Sequence, residues 1–209
     1  MRNATRLLSS VIALAAACMA GPIAEGVLAQ SALDPHAEHH HMSPGTTRIL
    51  AEYSIPQVKL VRADGKTVSL PEELNDGRPV VLNFIFTTCT TICPVMSQTF
   101  ARLEKMLGAE RGKVHLVSIT LDPEEDTPAR LTEYARRLQA GPEWQYYTGT
   151  VQAIKATEMA FGLYIGNKMT HTPLTLLRTA PGKPWLRING FATADDLLWE
   201  IRNHDMPAE

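Results

Sequence analysis

Apolar positions along the chain follow two rhythms that meet at one junction. From Val80 to Phe86 they form a nearly continuous run of β-branched and aromatic side chains, as in a central strand buried on both faces. Beyond Pro94 the spacing turns helical, with Val95, Met96, Phe100, Leu103, Met106 and Leu107 on one side of a helix. Between the two runs, threonines surround Cys89 and Cys93. The pattern predicts a buried strand that hands over to a helix N-terminus, with both cysteines at the handover. Open α/β sheets place ligands beyond the carboxyl ends of their strands, so this junction is the first candidate site.

The flanking pattern supplies the rest of the fold. Val58–Val61 and Thr67–Leu70 flank an Asp64-Gly65 pair, a strong hairpin signal. Lys113–Leu121 predicts a second buried strand, in which His115 reads as an imidazole satisfied by a neighbour or facing solvent. Thr127 before Pro128 predicts an N-cap with proline at the first helical position, opening a helix to about Leu138. Asp122 leaves the sheet on the same edge as the cysteines. Thr150 can cap a helix over Val151–Phe161, which Gly162 ends. Strands Leu174–Leu177 and Trp185–Ile188 flank a turn at Pro181-Gly182-Lys183, and Thr193 with Asp196 forms a capping box for a last helix, with His204 expected to face solvent near its end. The order hairpin, strand, helix, strand, helix, helix, strand, strand, helix predicts an α/β fold. It fits a thioredoxin-like three-layer sandwich, with a mixed central β-sheet and an added N-terminal β-hairpin.

Composition changes this picture little. The 209 residues, 44% of them hydrophobic and with a formal charge of −2, suffice for one globular domain and show no basic excess for nucleic acid. The N-terminus differs. Arg2 and Arg6 precede an apolar run from Leu7 to Ala20, and Val27-Leu28-Ala29 offers a small-residue cleavage site, so residues 1–29 read as a secretory signal, with an uncleaved anchor as the alternative. Cys18 follows Leu14-Ala15-Ala16-Ala17, which has Ala15 where lipoprotein processing sites usually have leucine. Residues 30–50 read as a disordered polar tail carrying His36, His39, His40, His41 and Met42, a tract that could collect copper loosely or simply be solvated. Residues 51–209 form the expected domain.

Removal of the signal leaves Cys89 and Cys93 in an oxidising compartment, where a structural disulfide is the ordinary outcome. A loop this short would constrain the unfolded chain little. On one helical turn, an i, i+4 pair would hold its Cβ atoms about 5–6 Å apart, whereas a disulfide prefers about 3.5–4.5 Å. Metal–sulfur bonds of about 2.3 Å span the wider gap. The spacing thus favours chelation over exchange and leaves both open. A helix N-terminus would stabilise the thiolate that either chemistry needs.

Phe86-Thr87-Thr88-Cys89, Cys93-Pro94, the run Thr120–Thr127 and His171 before an apolar strand together resemble the SCO/SenC family, over about Ile55–Ile201. The resemblance implies a copper-binding thioredoxin-like domain with Cys89, Cys93 and His171 as ligands of Cu(I), Cu(II) or both. It places Asp122 near the site, where it could supply charge or a hydrogen bond to a ligand. It implies an exported, periplasmic metallochaperone that assists assembly of the dinuclear copper centre of cytochrome c oxidase, with subunit II or another periplasmic copper protein as partner; the chain itself is expected to be a monomer. A thiol–disulfide oxidoreductase using Cys89 and Cys93 on a partner's cysteines is the rival, and a peroxidase lacks a local arginine. Thr90 stands where the family usually has proline, and Thr170 where it often has aspartate beside the histidine. Many members also carry a membrane helix where this chain has a signal-like segment.

Overall fold

The computed structural model describes residues 43–164 and 166–203. The expected signal at 1–29, the tract His36–Met42 and His204 lie outside the described residues. Among the described residues, no helix is long and apolar enough to cross a membrane.

The strands are β1 (Thr47–Ala51), β2 (Lys59–Arg62), β3 (Thr67–Ser69), β4 (Val80–Ile85), β5 (His115–Thr120), β6 (Trp144–Thr148), β7 (Leu174–Arg178) and β8 (Trp185–Asn189). They form one sheet in the order β1-β8-β7-β4-β5-β6-β2-β3. β4, β5 and β6 are parallel, and the remaining neighbours are antiparallel. The mixed sheet is therefore as expected. The helices are α1 (Leu70–Leu74), α2 (Ile92–Leu107), α3 (Pro128–Leu138), α4 (Val151–Ala160) and α5 (Ala194–Asn203).

Alternation along β4 sorts the core. Val81 and Ile85 join Phe100 of α2, Leu131 of α3 and Leu197 of α5 on one face. Val80, Leu82 and Phe84 join Leu70 and Leu74 of α1 and Ile154 of α4 on the other. Three layers follow, and every side chain of β4 is buried. The one polar residue of that strand is accommodated by a short chain of bonds. Trp144 Nε1 donates to Ser118 Oγ at 2.9 Å, and Ser118 Oγ donates to Asn83 Oδ1 at 2.6 Å. Both expected N-caps form, Thr127 accepting from Arg130 N at 3.3 Å and Thr150 from Ala153 N at 3.1 Å. The capping box forms too, since Thr193 N donates to Asp196 Oδ2 at 2.7 Å and Asp196 N to Thr193 Oγ1 at 3.2 Å.

Two strands depart from the sequence-based order. β6 was absent from it, and β6 is what carries the hairpin: Val61 pairs with Thr148 and Arg62 with Tyr147. Its run Trp-Gln-Tyr-Tyr-Thr is buried on both faces at four of five positions, so no alternation marks it. The second is β1, which begins at Thr47 inside the stretch expected to be tail, so the boundary at residue 50 moves back. An exposed edge strand hides in such a sequence because pairing, not amphipathicity, makes it. β1 pairs with β8 from Thr47↔Asn189 to Ala51↔Trp185, and Arg48 ties it to Glu200 of α5 at 2.7 Å while lying over the Trp199 ring. Gly190 completes this corner. Its φ is +99°, and a Cβ there would stand 2.6 Å from the Gly45 carbonyl oxygen.

Candidate metal centre

The loop between β4 and α2 is fastened by a buried carboxylate. Asp126 is fully buried and accepts from Thr87 N at 3.1 Å, Thr87 Oγ1 at 2.5 Å and Thr120 Oγ1 at 2.5 Å. One side chain thus joins the exits of β4 and β5, the edge on which the cysteines lie. Charge-assisted bonds of this kind are the stronger ones. Asp126 was part of the sequence motif, but nothing in its residue type separated its role from that of Asp122.

Cys89 does not lie on the helical turn. α2 begins at Ile92 after an N-cap at Thr91 whose side chain makes no capping bond. The Cys89 sulfur takes that place. Cys93 N donates to Cys89 Sγ at 3.4 Å, and Thr91 Oγ1 stands 3.8 Å from the same sulfur. The expected i, i+4 helical face therefore gives way to a turn folded against a helix start, which still brings the two residues together. Both thiols are free and buried. Their environments differ. Burial opposes ionisation of Cys89, but the Cys93 thiol, the Cys93 N–H and Thr91 outweigh it and hold Cys89 below the ordinary thiol range. Burial, reinforced by Cys89, pushes Cys93 well above that range.

The third residue arrives from the segment before β7. A 3-10 turn at Lys168–Thr170 is capped by Asn167, whose Oδ1 accepts from Met169 N at 2.9 Å. His171 follows, 5% exposed, with its ring edge-on to Phe86 at 5.6 Å. Its Nδ1 lies 2.8 Å from the Lys168 carbonyl oxygen. A carbonyl can only accept, so Nδ1 carries a proton, and in the neutral ring Nε2 is the nitrogen that keeps the lone pair. Nε2 faces Cys93 Sγ at 3.9 Å. The partner that Thr170 does not supply is therefore a backbone carbonyl, which no side-chain pattern could have revealed. Asp122 touches neither the imidazole nor the thiols. It pairs with Lys168 Nζ, which also lies over the Phe86 ring, and so steadies the residue whose carbonyl holds His171.

Cys93 is thus the meeting point, with Cys89 on one side and His171 on the other. Among the described residues, no group of three or more His, Cys, Asp or Glu side chains stands ready to hold a metal ion without rearrangement.

The SCO1/SenC profile matches residues 48–204. The chain belongs to the SCO1/SenC family. Protein SenC of Rhodobacter capsulatus is 30% identical over 172 residues, covering 81% of this chain and 75% of the relative. The SCO1 protein homolog of Bacillus subtilis is 36% identical over 102 residues, or 48% of this chain, and the match spans about half of that relative, 52% of its length. Among solved SCO1/SenC structures, that of BsSco, of the Sco family of cytochrome c oxidase assembly proteins and the subject of an identified disulfide switch, superposes with a TM-score of 0.63 at 27% identity. It covers 75% of this chain and 95% of BsSco. Arabidopsis thaliana ScoI with copper bound gives a TM-score of 0.56 at 26% identity, over 67% of this chain and 90% of that one. The expected fold is borne out by these likenesses.

Proposed function

We propose that this chain is an exported copper metallochaperone that takes copper on Cys89, Cys93 and His171 and assists assembly of the dinuclear copper centre of cytochrome c oxidase. Its recipient is subunit II or another periplasmic copper protein. One observation carries the reading: a buried imidazole whose Nδ1 lies against the Lys168 carbonyl turns its Nε2 toward the Cys93 sulfur at 3.9 Å. With bonds of about 2.3 Å to sulfur and about 2.0 Å to nitrogen, the zinc values taken as a yardstick, one ion can bridge donors up to about 4.3 Å apart. Two thiolates and one imidazole suit copper by softness. The relatives named above, one from a family of oxidase assembly proteins and one solved with copper, support the same reading.

Within the site, Lys168 fixes the imidazole, Asp122 fixes Lys168, and Asp126 fixes the loop that presents Cys89. Copper uptake releases the thiol protons to water, so affinity falls on acidification. The test is a spectrum of the copper-loaded chain. Sulfur-to-Cu(II) charge transfer is expected in the wild type and lost in Cys93→Ser; an unchanged spectrum in that variant would remove the assignment.

A second reading is favoured by the unequal thiols. Cys89, at the helix start, attacks a partner disulfide, forming a mixed disulfide and releasing one partner thiolate. Cys93 then loses its proton and attacks the Cys89 sulfur, releasing the second thiol and leaving a Cys89–Cys93 disulfide. Two electrons pass to the partner. Cys93→Ser would trap the mixed disulfide, and failure to trap any with a disulfide-bearing partner counts against this activity.

A further inference from the structure

Beside the metal centre lies a cavity of about 460 Å³ to which the proposed function gives no task. Its size is that of an ordinary ligand pocket. We propose that it receives a basic side chain, lysine or arginine, of the copper recipient, with the charged head paired to Glu158 and the aliphatic stem along the apolar wall. This role rests on the copper reading above and adds what the recipient must present beside its own copper ligands.

Three segments build the cavity. The turn after β5 contributes Leu121 and Pro123, α4 contributes Ile154 and Glu158, and the chain after α4 contributes Leu163. Ile154 and Leu163 are buried and give the wall its apolar character. His171 lines the same cavity. A guest seated there is therefore next to the imidazole whose Nε2 faces Cys93.

The charges on these walls do not balance. Asp122 is satisfied by Lys168. Among the described residues, the carboxylates of Glu158 and Glu124, which both line the cavity, form no hydrogen bond or ion pair. Lys155, three residues before Glu158, is the neighbour a helix would offer it. Its ammonium lies instead over the Tyr164 ring, 4.7 Å from the centroid. Burial pushes the Glu158 carboxyl up to about 6, and Lys155 opposes that shift without cancelling it. At neutral pH Glu158 is therefore a partly desolvated anion without a counter-charge, a costly state that a cation from outside relieves. Lysine and arginine suit the rest of the wall as well, since their stems lie along apolar surface while the head stays with its partner.

The surroundings favour a protein over a free amine. Val151 and Tyr164 line the cavity yet remain exposed, and Met169, two residues before His171, is 64% exposed. Aromatic and thioether side chains are enriched in protein interfaces, where a charged anchor enters a pocket and apolar neighbours exclude water around it. An anchor in this cavity holds the recipient's donors against the metal centre. Transfer is then ligand exchange. Each bond from copper to Cys89, Cys93 or Nε2 breaks as a bond to a recipient donor forms, the vacated thiolates take protons from water, and the oxidation state of the ion is unchanged.

The first test titrates the full metal-free chain with the Nα-acetyl methylamides of lysine, arginine and norleucine, followed by the NMR shifts of the Ile154 and Leu163 methyls. At least one basic probe should bind the wild type tenfold more tightly than norleucine and lose that advantage in Glu158→Gln, which keeps the shape and removes the charge. Added salt should weaken the basic probe and leave norleucine unaffected. If neither basic probe surpasses norleucine, or the advantage survives in Glu158→Gln, the proposal is overturned. The second test loads both chains with Cu(II) and adds the soluble copper domain of oxidase subunit II. Glu158→Gln should keep the wild-type sulfur band and copper affinity but surrender the band at least tenfold more slowly; an equal rate overturns the docking role. Absence of the band in the wild type overturns the dithiol–imidazole reading instead, and the probe titration, which needs no metal, tells the two failures apart.

Discussion

Two histidines are buried at opposite ends of the same sheet, and only one of them is placed to take a ligand. His115 opens β5, in register with Val80 at the start of β4. His171 precedes β7, beyond the far end of β4. Exposure does not separate them, at 2% and 5%. Their partners do. Tyr147 OH donates to Glu73 Oε2 at 2.5 Å, so its oxygen can accept from His115 Nε2 at 3.3 Å, and the remaining nitrogen faces Asp76 at 3.3 Å without a hydrogen bond. Asp76 is already held by Arg78. His115 is therefore enclosed by hard, occupied oxygen partners, whereas His171 turns a free lone pair toward a sulfur. Burial alone says nothing about ligation; the atom that faces the free nitrogen decides it.

The sharpest way to break this contrast is to delete each ring. His171→Ala should weaken copper binding by about 100-fold or more, about 2.7 kcal/mol, because loss of a ligand exceeds the 10- to 100-fold typical of groups that merely orient one. The metal-free variant should lose some stability as well, since the ring is buried against Phe86. His115→Ala should leave copper affinity unchanged and cost about 2 kcal/mol of stability through the cavity and the lost hydrogen bond to Tyr147. Copper competition titration and chemical denaturation on both variants read the two effects separately. Equal copper loss in both would dissolve the distinction.

A smaller effect sharpens it. Asp122 acts on His171 only through Lys168. Asp122→Asn keeps the shape and removes the charge, so copper affinity should fall about tenfold, with the spectrum of the loaded site retained. A lost sulfur band would mean that Asp122 reaches the ion itself.

The contrast also shows what a sequence can and cannot carry. β4, α2, the hairpin and the caps were legible because periodicity and turn chemistry are local. β6 was not, since Trp144–Thr148 is buried on both faces, and β1 was not, since its pairing with β8 bridges some 140 residues of chain, about the separation of Thr47 and Asn189. At the site, residue types and the family resemblance singled out Cys89, Cys93 and His171. Three features stayed hidden: the start of α2 at Ile92, which leaves Cys89 outside the helix, the Lys168 carbonyl behind His171, and the division of labour between Asp122 and Asp126. Each depends on backbone geometry or on contacts between distant segments.

The smallest predicted effect is a pH slope at the end of the sheet without a ligand. Burial, with Arg78 acting in the same direction, holds the His115 imidazole below its ordinary range, while Asp76 and Glu73 oppose the shift without overcoming it. The folded chain therefore binds this proton less readily than the unfolded chain, whose imidazole titrates near pH 6.5. Between those two values the unfolded state holds more protons, so stability rises with pH there. The contribution of His115 is fully present above about pH 6.5 and is lost as pH falls through the folded value. Denaturation measured from pH 8 to pH 5 should show a decline in the wild type that is shallower in His115→Gln, where nothing titrates. An identical decline in both would mean that the opposing influences on His115 cancel, and a steeper decline in His115→Gln would mean that Asp76 and Glu73 dominate and that protonation of His115 stabilises the fold.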